Sequence, residues 1–253
     1  MMIEPWLYPA LTAVALLTGF IDAIAGGGGL IMMPALLSAG LPPHFALGTN
    51  KLQSLCGTTM ALRNYRRGGL IAIRPNLATV AVVFAGAAAG ALVVSAMNSE
   101  ALQLIVPLLL LAVALYIVFS PRMDDEDAHE RLGPVGYAPV AGAIGFYDGF
   151  FGPGTGTFFA ASQVGLRGLG LTRATAATKL FNATSNIASL VVFAAGGKVL
   201  WLLGACMAAG AMAGSWLGSH TAMRHGARLI RPLLVASSVA LTARLLWTWY
   251  AAR

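Results

Sequence analysis

The chain has 253 residues, of which 58% are hydrophobic and 10% charged, with a formal net charge of +7. A soluble domain of this length needs far more charge to cover its surface, which excludes that class. Apolar runs recur along nearly the whole chain, and about 20 apolar residues suffice to cross a hydrocarbon core about 30 Å thick. The expected fold is therefore all-α, a polytopic membrane protein.

In chain order, the first half offers spans at 6–25, 29–40, 44–62, 77–97 and 101–119. The N-terminus has no basic start and no small-residue cleavage site, so the first span is expected to stay as an anchor. Residues 120–136, with Asp124-Asp125-Glu126-Asp127 between Pro121 and Pro134, read as a solvated linker. The second half offers 137–151, 155–166, 174–195, 199–220 and 232–250. The segments 29–40 and 155–166 are too short to cross as ordinary helices at about 1.5 Å per residue. Both follow glycine-rich breaks, so each is expected to belong to a broken or re-entrant element.

The halves repeat each other. Gly19 to Gly26 matches Gly145 to Gly152 at an offset of 126, and Lys51-Leu52 matches Lys179-Leu180 at 128. The larger offset also carries Gly86 and Gly90 onto Gly214 and Gly218. The expected units are residues 1–119, a cytoplasmic linker 120–136, and residues 137–253. Loop charge gives the relation between them. Arg63, Arg66, Arg67 and Arg74 make one first-half loop basic, whereas its second-half equivalent keeps only Lys198. Conversely, Arg167 and Arg173 flank a turn whose first-half equivalent, Gly40 to Phe45, has no basic residue. Basic loops stay in the cytoplasm, so equivalent loops face opposite sides and the second repeat is inverted. Five crossings per half, about ten helical segments in all, make the alternation consistent and put both termini in the periplasm. The basic excess is then an orientation signal, and no nucleic-acid partner is expected.

Each half carries an aspartate four residues before its helix breakers and a lysine about 25 residues later. Inverted halves with paired breaks are the pattern of secondary transporters. The breaks Gly26, Gly27, Gly28, Gly29 and Gly152, Gly154, Thr155, Gly156 each open a helix whose first N–H groups attract anions. Close backbone packing is the alternative use of the same glycines. Lys51 and Lys179 lie inside spans, where a lysine costs on the order of 3 kcal/mol on insertion scales and marks a functional site by default. The competing readings are snorkelling to the interface or pairing with Asp148 or Asp22. The neighbours Thr49, Asn50, Gln53 and Ser54, and Thr178, Asn182, Ser185 and Asn186, recur at helical spacing and are expected to line one polar face that points inward. Asp22 and Asp148 are candidate proton carriers, lysine counter-ions or caps of the broken ends. An intramembrane aspartyl protease is disfavoured because no Gly-x-Gly-Asp follows. Cys56 and Cys206 read as small packing residues. His44, His129, His220 and His225 show no ligand spacing, so neither a metal nor a cofactor is expected. The glycines at spacing four in 86–90 and 210–218 read as helix packing, and Trp247, Trp249 and Tyr250 as an interfacial belt.

These residues resemble a known family. Gly19-Phe20-Ile21-Asp22-Ala23-Ile24-Ala25-Gly26-Gly27-Gly28-Gly29-Leu30, Pro34, Ala46-Leu47-Gly48-Thr49-Asn50-Lys51, Gly145-Phe146-Tyr147-Asp148-Gly149-Phe150-Phe151-Gly152-Pro153-Gly154-Thr155-Gly156 and Ala176-Ala177-Thr178-Lys179 look like the TauE/SafE sulfite exporter family. The resemblance implies a bacterial inner-membrane protein that moves small anions, with members linked to sulfite, thiosulfate, organosulfonates and related carbon acids. It points to the two glycine segments and to Asn50, Lys51, Thr178 and Lys179. Thr178 stands where the first half has Asn50, so the half-sites are not equivalent. The expected protein is a non-enzymatic transporter of a small sulfur-containing anion, working as an exporter by alternating access with protons as a coupling ion. A passive anion channel, a transporter of a small carboxylate and a membrane-embedded enzyme or assembly subunit are the alternatives; a homodimer is compatible with all of them.

Overall fold

The computed structural model describes residues 3–119, 126–127 and 129–226. Among these the secondary structure is helical: α1 Leu7–Ala25, α2 Gly28–Ser38, α3 Pro43–Arg67, α4 Leu77–Ala96 preceded by a 3-10 turn Arg74–Asn76, α5 Ser99–Phe119, α6 Ala138–Phe150, α7 Thr155–Arg167, α8 Leu171–Ala195 and α9 Trp201–His225. No strand occurs among the described residues. The protein is an all-α membrane protein. The helix expected at 232–250, with its Trp247, Trp249 and Tyr250, lies outside the described residues, as do Asp124 and Asp125 of the linker's acidic run.

The helices α1, α9 and the stretch Arg74–Ala96 are long and apolar enough to cross a membrane. The 25-residue helices α3 and α8 are as long, but their polar residues face inward. Thr49, Asn50, Lys51, Gln53 and Thr58 on α3, and Thr178, Lys179, Asn182, Ser185 and Asn186 on α8, are all buried. Lipid offers no partner to such groups, so this face turns into the protein.

Small residues let the helices approach. On α9, a Cβ added at Gly210, Gly214 or Gly218 would run into the α1 carbonyls of Thr12, Leu16 and Phe20. On α4, a Cβ at Gly86 or Gly90 would run into the α6 carbonyls of Gly142 and Phe146. The two seams obey the repeat: Gly86 against Gly142 becomes Gly214 against Leu16, and Gly90 against Phe146 becomes Gly218 against Phe20, with the offsets of 128 and 126 read from the sequence. Each half thus packs its fourth long segment on the other half's first, and the two halves interlock.

The first long helix of each half stops abruptly. At the end of α1, Gly26 adopts φ 76° and donates its N–H to Asp22 O at 2.8 Å. At the end of α6, Phe151 donates to Tyr147 O at 2.8 Å, and Gly152 (φ 97°) and Gly154 (φ 83°) redirect the chain into α7. Positive φ is cheap only for glycine. The breaks also touch: a Cβ on Gly26 would meet Gly156 Cα at 2.6 Å, and one on Gly29 would meet Pro153 Cα at 3.2 Å.

Candidate functional site

Each break leaves carbonyls of a final helical turn without helical partners. A lysine from the opposite half bonds the aspartate carbonyl on that turn, Asp148 O at one break and, at the other, Asp22 O, which also accepts the Gly26 N–H. Lys51 Nζ donates to Asp148 O at 2.6 Å and to Asp148 Oδ1 at 2.8 Å. Lys179 Nζ donates to Asp22 O and, at 3.1 Å, to Asp22 Oδ2. Each ammonium therefore caps the negative end of a foreign helix and neutralises the aspartate on its last turn. Lys51 is 2% exposed and Lys179 0%, so neither snorkels to the interface. A buried ion pair is retained only where geometry and further hydrogen bonds offset desolvation, and the helix-end carbonyls supply those bonds here.

Between the breaks lies a cavity of about 30 Å³, room for about two water molecules. It is lined by Gly26 and Gly29 from the first break, Gly152, Gly154, Thr155 and Gly156 from the second, and Asn50, Lys51, Ser54 and Asn182 from the polar faces of α3 and α8. Asp22 and Asp148 border it too. The first turns of α2 and α7 thus open toward the same space, although three of their N–H groups are already bonded, Leu30 to Gly27 O at 3.1 Å, Thr155 to Gly152 O at 3.1 Å and Thr157 to Gly154 O at 3.0 Å. Asn182 is buried, and its Oδ1 has no hydrogen-bond partner. Turning that amide over presents Nδ2 instead, a donor suited to an oxyanion.

Other expected site residues fall just outside this cavity. Lys179 reaches it only through Asp22. Thr178 donates to Ala174 O at 2.8 Å and accepts from Gln163 Nε2 at 3.1 Å, which ties α8 to α7. Gly28 lines a second, neighbouring cavity, and Gly27 is the residue before α2. Of the two remaining lining residues, Asn186 belongs to the polar face expected on α8, whereas Thr58 was not expected. They correspond at the offset of 128, and Thr58 lies one turn beyond Ser54, so extending the polar stripe by i+4 would have found it. Tyr147 is a further addition: its hydroxyl donates to Pro153 O at 2.7 Å and braces the second break.

The linker is anchored near its end. Asp127 Oδ1 accepts the N–H of Gly170, the residue before α8, at 2.7 Å, and Oδ2 pairs with Arg173. The Gly170 N–H first, and Arg173 second, hold this carboxyl below its ordinary range.

Comparison with known proteins gives this arrangement its context. The chain is 46% identical over 237 residues to a probable membrane transporter, ORF9, of a Sinorhizobium species, covering 93% of this chain and 91% of that protein. It is 42% identical over 247 residues to the probable membrane transporter YfcA of Escherichia coli K12, covering 97% and 92%. A probable membrane transporter of Haemophilus influenzae is 42% identical over 242 residues, 95% of each chain. No solved structure matches. Residues 11–245 match the family described as Sulfite exporter TauE/SafE, and the chain, a membrane transporter, belongs to that family.

Proposed function

We propose that the protein exports a small sulfur-containing oxyanion, such as sulfite, thiosulfate or an organosulfonate, across the bacterial inner membrane. The observation that carries this reading is the meeting of both broken-helix first turns with Lys51 in one buried cavity. Helix N-termini and a buried ammonium are what a desolvated oxyanion needs. The substrate-binding groups are Gly26 to Gly29, Asn50, Lys51, Ser54, Gly152, Gly154, Thr155, Gly156, Asn182 and, from the rim, Thr178 and Lys179. A cavity of about 30 Å³ does not admit a sulfonate, so the cycle requires the halves to move apart on one side at a time. Interlocking seams that repeat between the halves support alternating access between inverted repeats, with both termini periplasmic.

The two lysines and two aspartates sum to zero charge. An entering anion therefore has to take a lysine from its carboxylate, which selects against neutral and cationic solutes. The test is counterflow of labelled sulfite, thiosulfate, taurine and small carboxylates in proteoliposomes, with Lys51→Ala and Lys179→Ala alongside. Saturable exchange of sulfur oxyanions, lost in both variants while the protein stays folded, is the expected result. Flux without saturation identifies a channel, preference for carboxylates moves the substrate class, and unchanged flux in both variants removes the lysines from the site.

A further inference from the structure

The two lysine–aspartate pairs occupy equivalent positions but are held differently. Asp148 is wrapped on both oxygens. Oδ1 accepts from Lys51 at 2.8 Å and from Thr155 Oγ1 at 3.2 Å, and Oδ2 accepts from Ser185 Oγ. Asp22 accepts Lys179 on Oδ2, and no hydroxyl of the described residues donates to it. The repeat explains the difference. Ser185 corresponds to Gly57 at the offset of 128, and where α7 opens on Thr155, α2 opens on Gly28. Where Asp148 receives hydroxyls, Asp22 meets glycines.

Beside these two glycines lies a second cavity of about 20 Å³, large enough for a water molecule. Asp22, Gly28 and Gly57 line it, with Thr18, Gln53 and Ser215. At the corresponding positions around Asp148 stand Ile144, Phe181 and Ala87. Asp22 thus borders the central cavity and a second one with polar groups in its wall, whereas Asp148, held by Lys51, Thr155 and Ser185, borders only the central one of the two. The Asp22 side chain is 22% exposed against 5% for Asp148.

Resting on the transport reading above, we propose that Asp22 is the proton-carrying carboxylate of the transport cycle, charged from the second cavity, and that Asp148 is a fixed counter-ion. A proton from water in that cavity adds to the Asp22 carboxylate. The neutral acid no longer balances Lys179, whose ammonium keeps its bond to Asp22 O, and an anion in the central cavity supplies the missing charge. Proton and anion enter together, and on the other side both leave, the proton to water and the anion to solution. One proton per monovalent anion makes the step electroneutral, and one proton per thiosulfate dianion moves one net negative charge. The charged or titratable groups facing Asp22 are Lys179 from α8, Tyr65 from α3, whose hydroxyl donates to Ala23 O at 2.8 Å, and across the cavity the Lys51–Asp148 pair. From α9 it meets Ser215, and from α2 only Gly28 and Gly29.

The test uses the full chain in liposomes with a trapped pH dye, reading thiosulfate flux and proton movement together. Asp22→Asn is expected to keep thiosulfate exchange within about threefold while losing the accompanying proton movement by at least about tenfold. Ser215→Ala, which copies Ala87 and removes no charge, is expected to slow proton-coupled flux several-fold and leave exchange unchanged, so the proposal stays exposed even where Asp22→Asn does not fold. Proton movement that survives Asp22→Asn, or that Ser215→Ala leaves untouched, overturns the assignment to Asp22 and leaves the transport reading standing. Wild-type liposomes that exchange no sulfur oxyanion overturn the transport reading itself, and this assignment with it.

Discussion

Lys51 shows what a single charge does in this interior. It is a counter-ion for Asp148 and a cap for the broken end of α6 at once, 97 residues away in sequence. Removing it leaves a buried carboxylate unpaired, which typically costs about 3–5 kcal/mol. Lys51→Ala is thus expected to lower the thermal midpoint in detergent markedly, whereas the charge-neutral pair Lys51→Met/Asp148→Asn recovers most of the loss. Equal midpoints for the two variants would show that the charge pair does not hold the break. Asp127 is the opposite case, half exposed and outside the membrane. Its folded value lies below its ordinary one, so the clasp on Gly170 and Arg173 is complete above the ordinary carboxylate range and is lost as pH falls through the depressed value. Limited proteolysis of the linker should accelerate over that acidic window, and Asp127→Asn should show the fast rate at neutral pH.

At the scale of the element, the glycines divide into two kinds. Gly26, Gly152 and Gly154 turn the chain with positive φ, whereas Gly86, Gly90, Gly214 and Gly218 let one helix touch the backbone of another. Replacing Gly90 or Gly214 with leucine forces α4 from α6 or α9 from α1, an overpacking cost of about 1–3 kcal/mol. Both variants should lose thermal stability, whereas leucine at Gly197, with nothing within 4 Å of its Cβ, should meet no packing clash, although its φ of 66° adds backbone strain. The breaks and the paired seams were legible in the sequence because glycines and intramembrane charges are rare and repeat at fixed offsets. Helix ends were less so: α3 runs on to Arg67 although its apolar run ends near residue 62, because Arg66 and Arg67 in the last turn suit the negative end of a helix. Which lysine meets which aspartate was not legible, since the contacts cross between halves and no local spacing encodes them.

The whole molecule is two similar halves that each complete the other's broken helix. Fixed offsets between matching residues made the duplication readable, and loop charge carries the expectation that the second repeat is inverted. The lining of the central cavity was readable only in part. Asn186 was readable on the polar face of α8, whereas Thr58 needed the packing of α3 against α8 to bring it in, and the closure of Asp148 by Ser185 depends on a hydroxyl that the other half lacks. The common account is that an anion displaces a carboxylate from a buried lysine between two helix N-termini. Thiosulfate counterflow in proteoliposomes bearing wild type or Lys51→Met/Asp148→Asn measures this most directly. The account predicts saturable exchange in the wild type and a loss of at least about tenfold in the folded double variant; exchange at the wild-type rate without the Lys51 ammonium would contradict it.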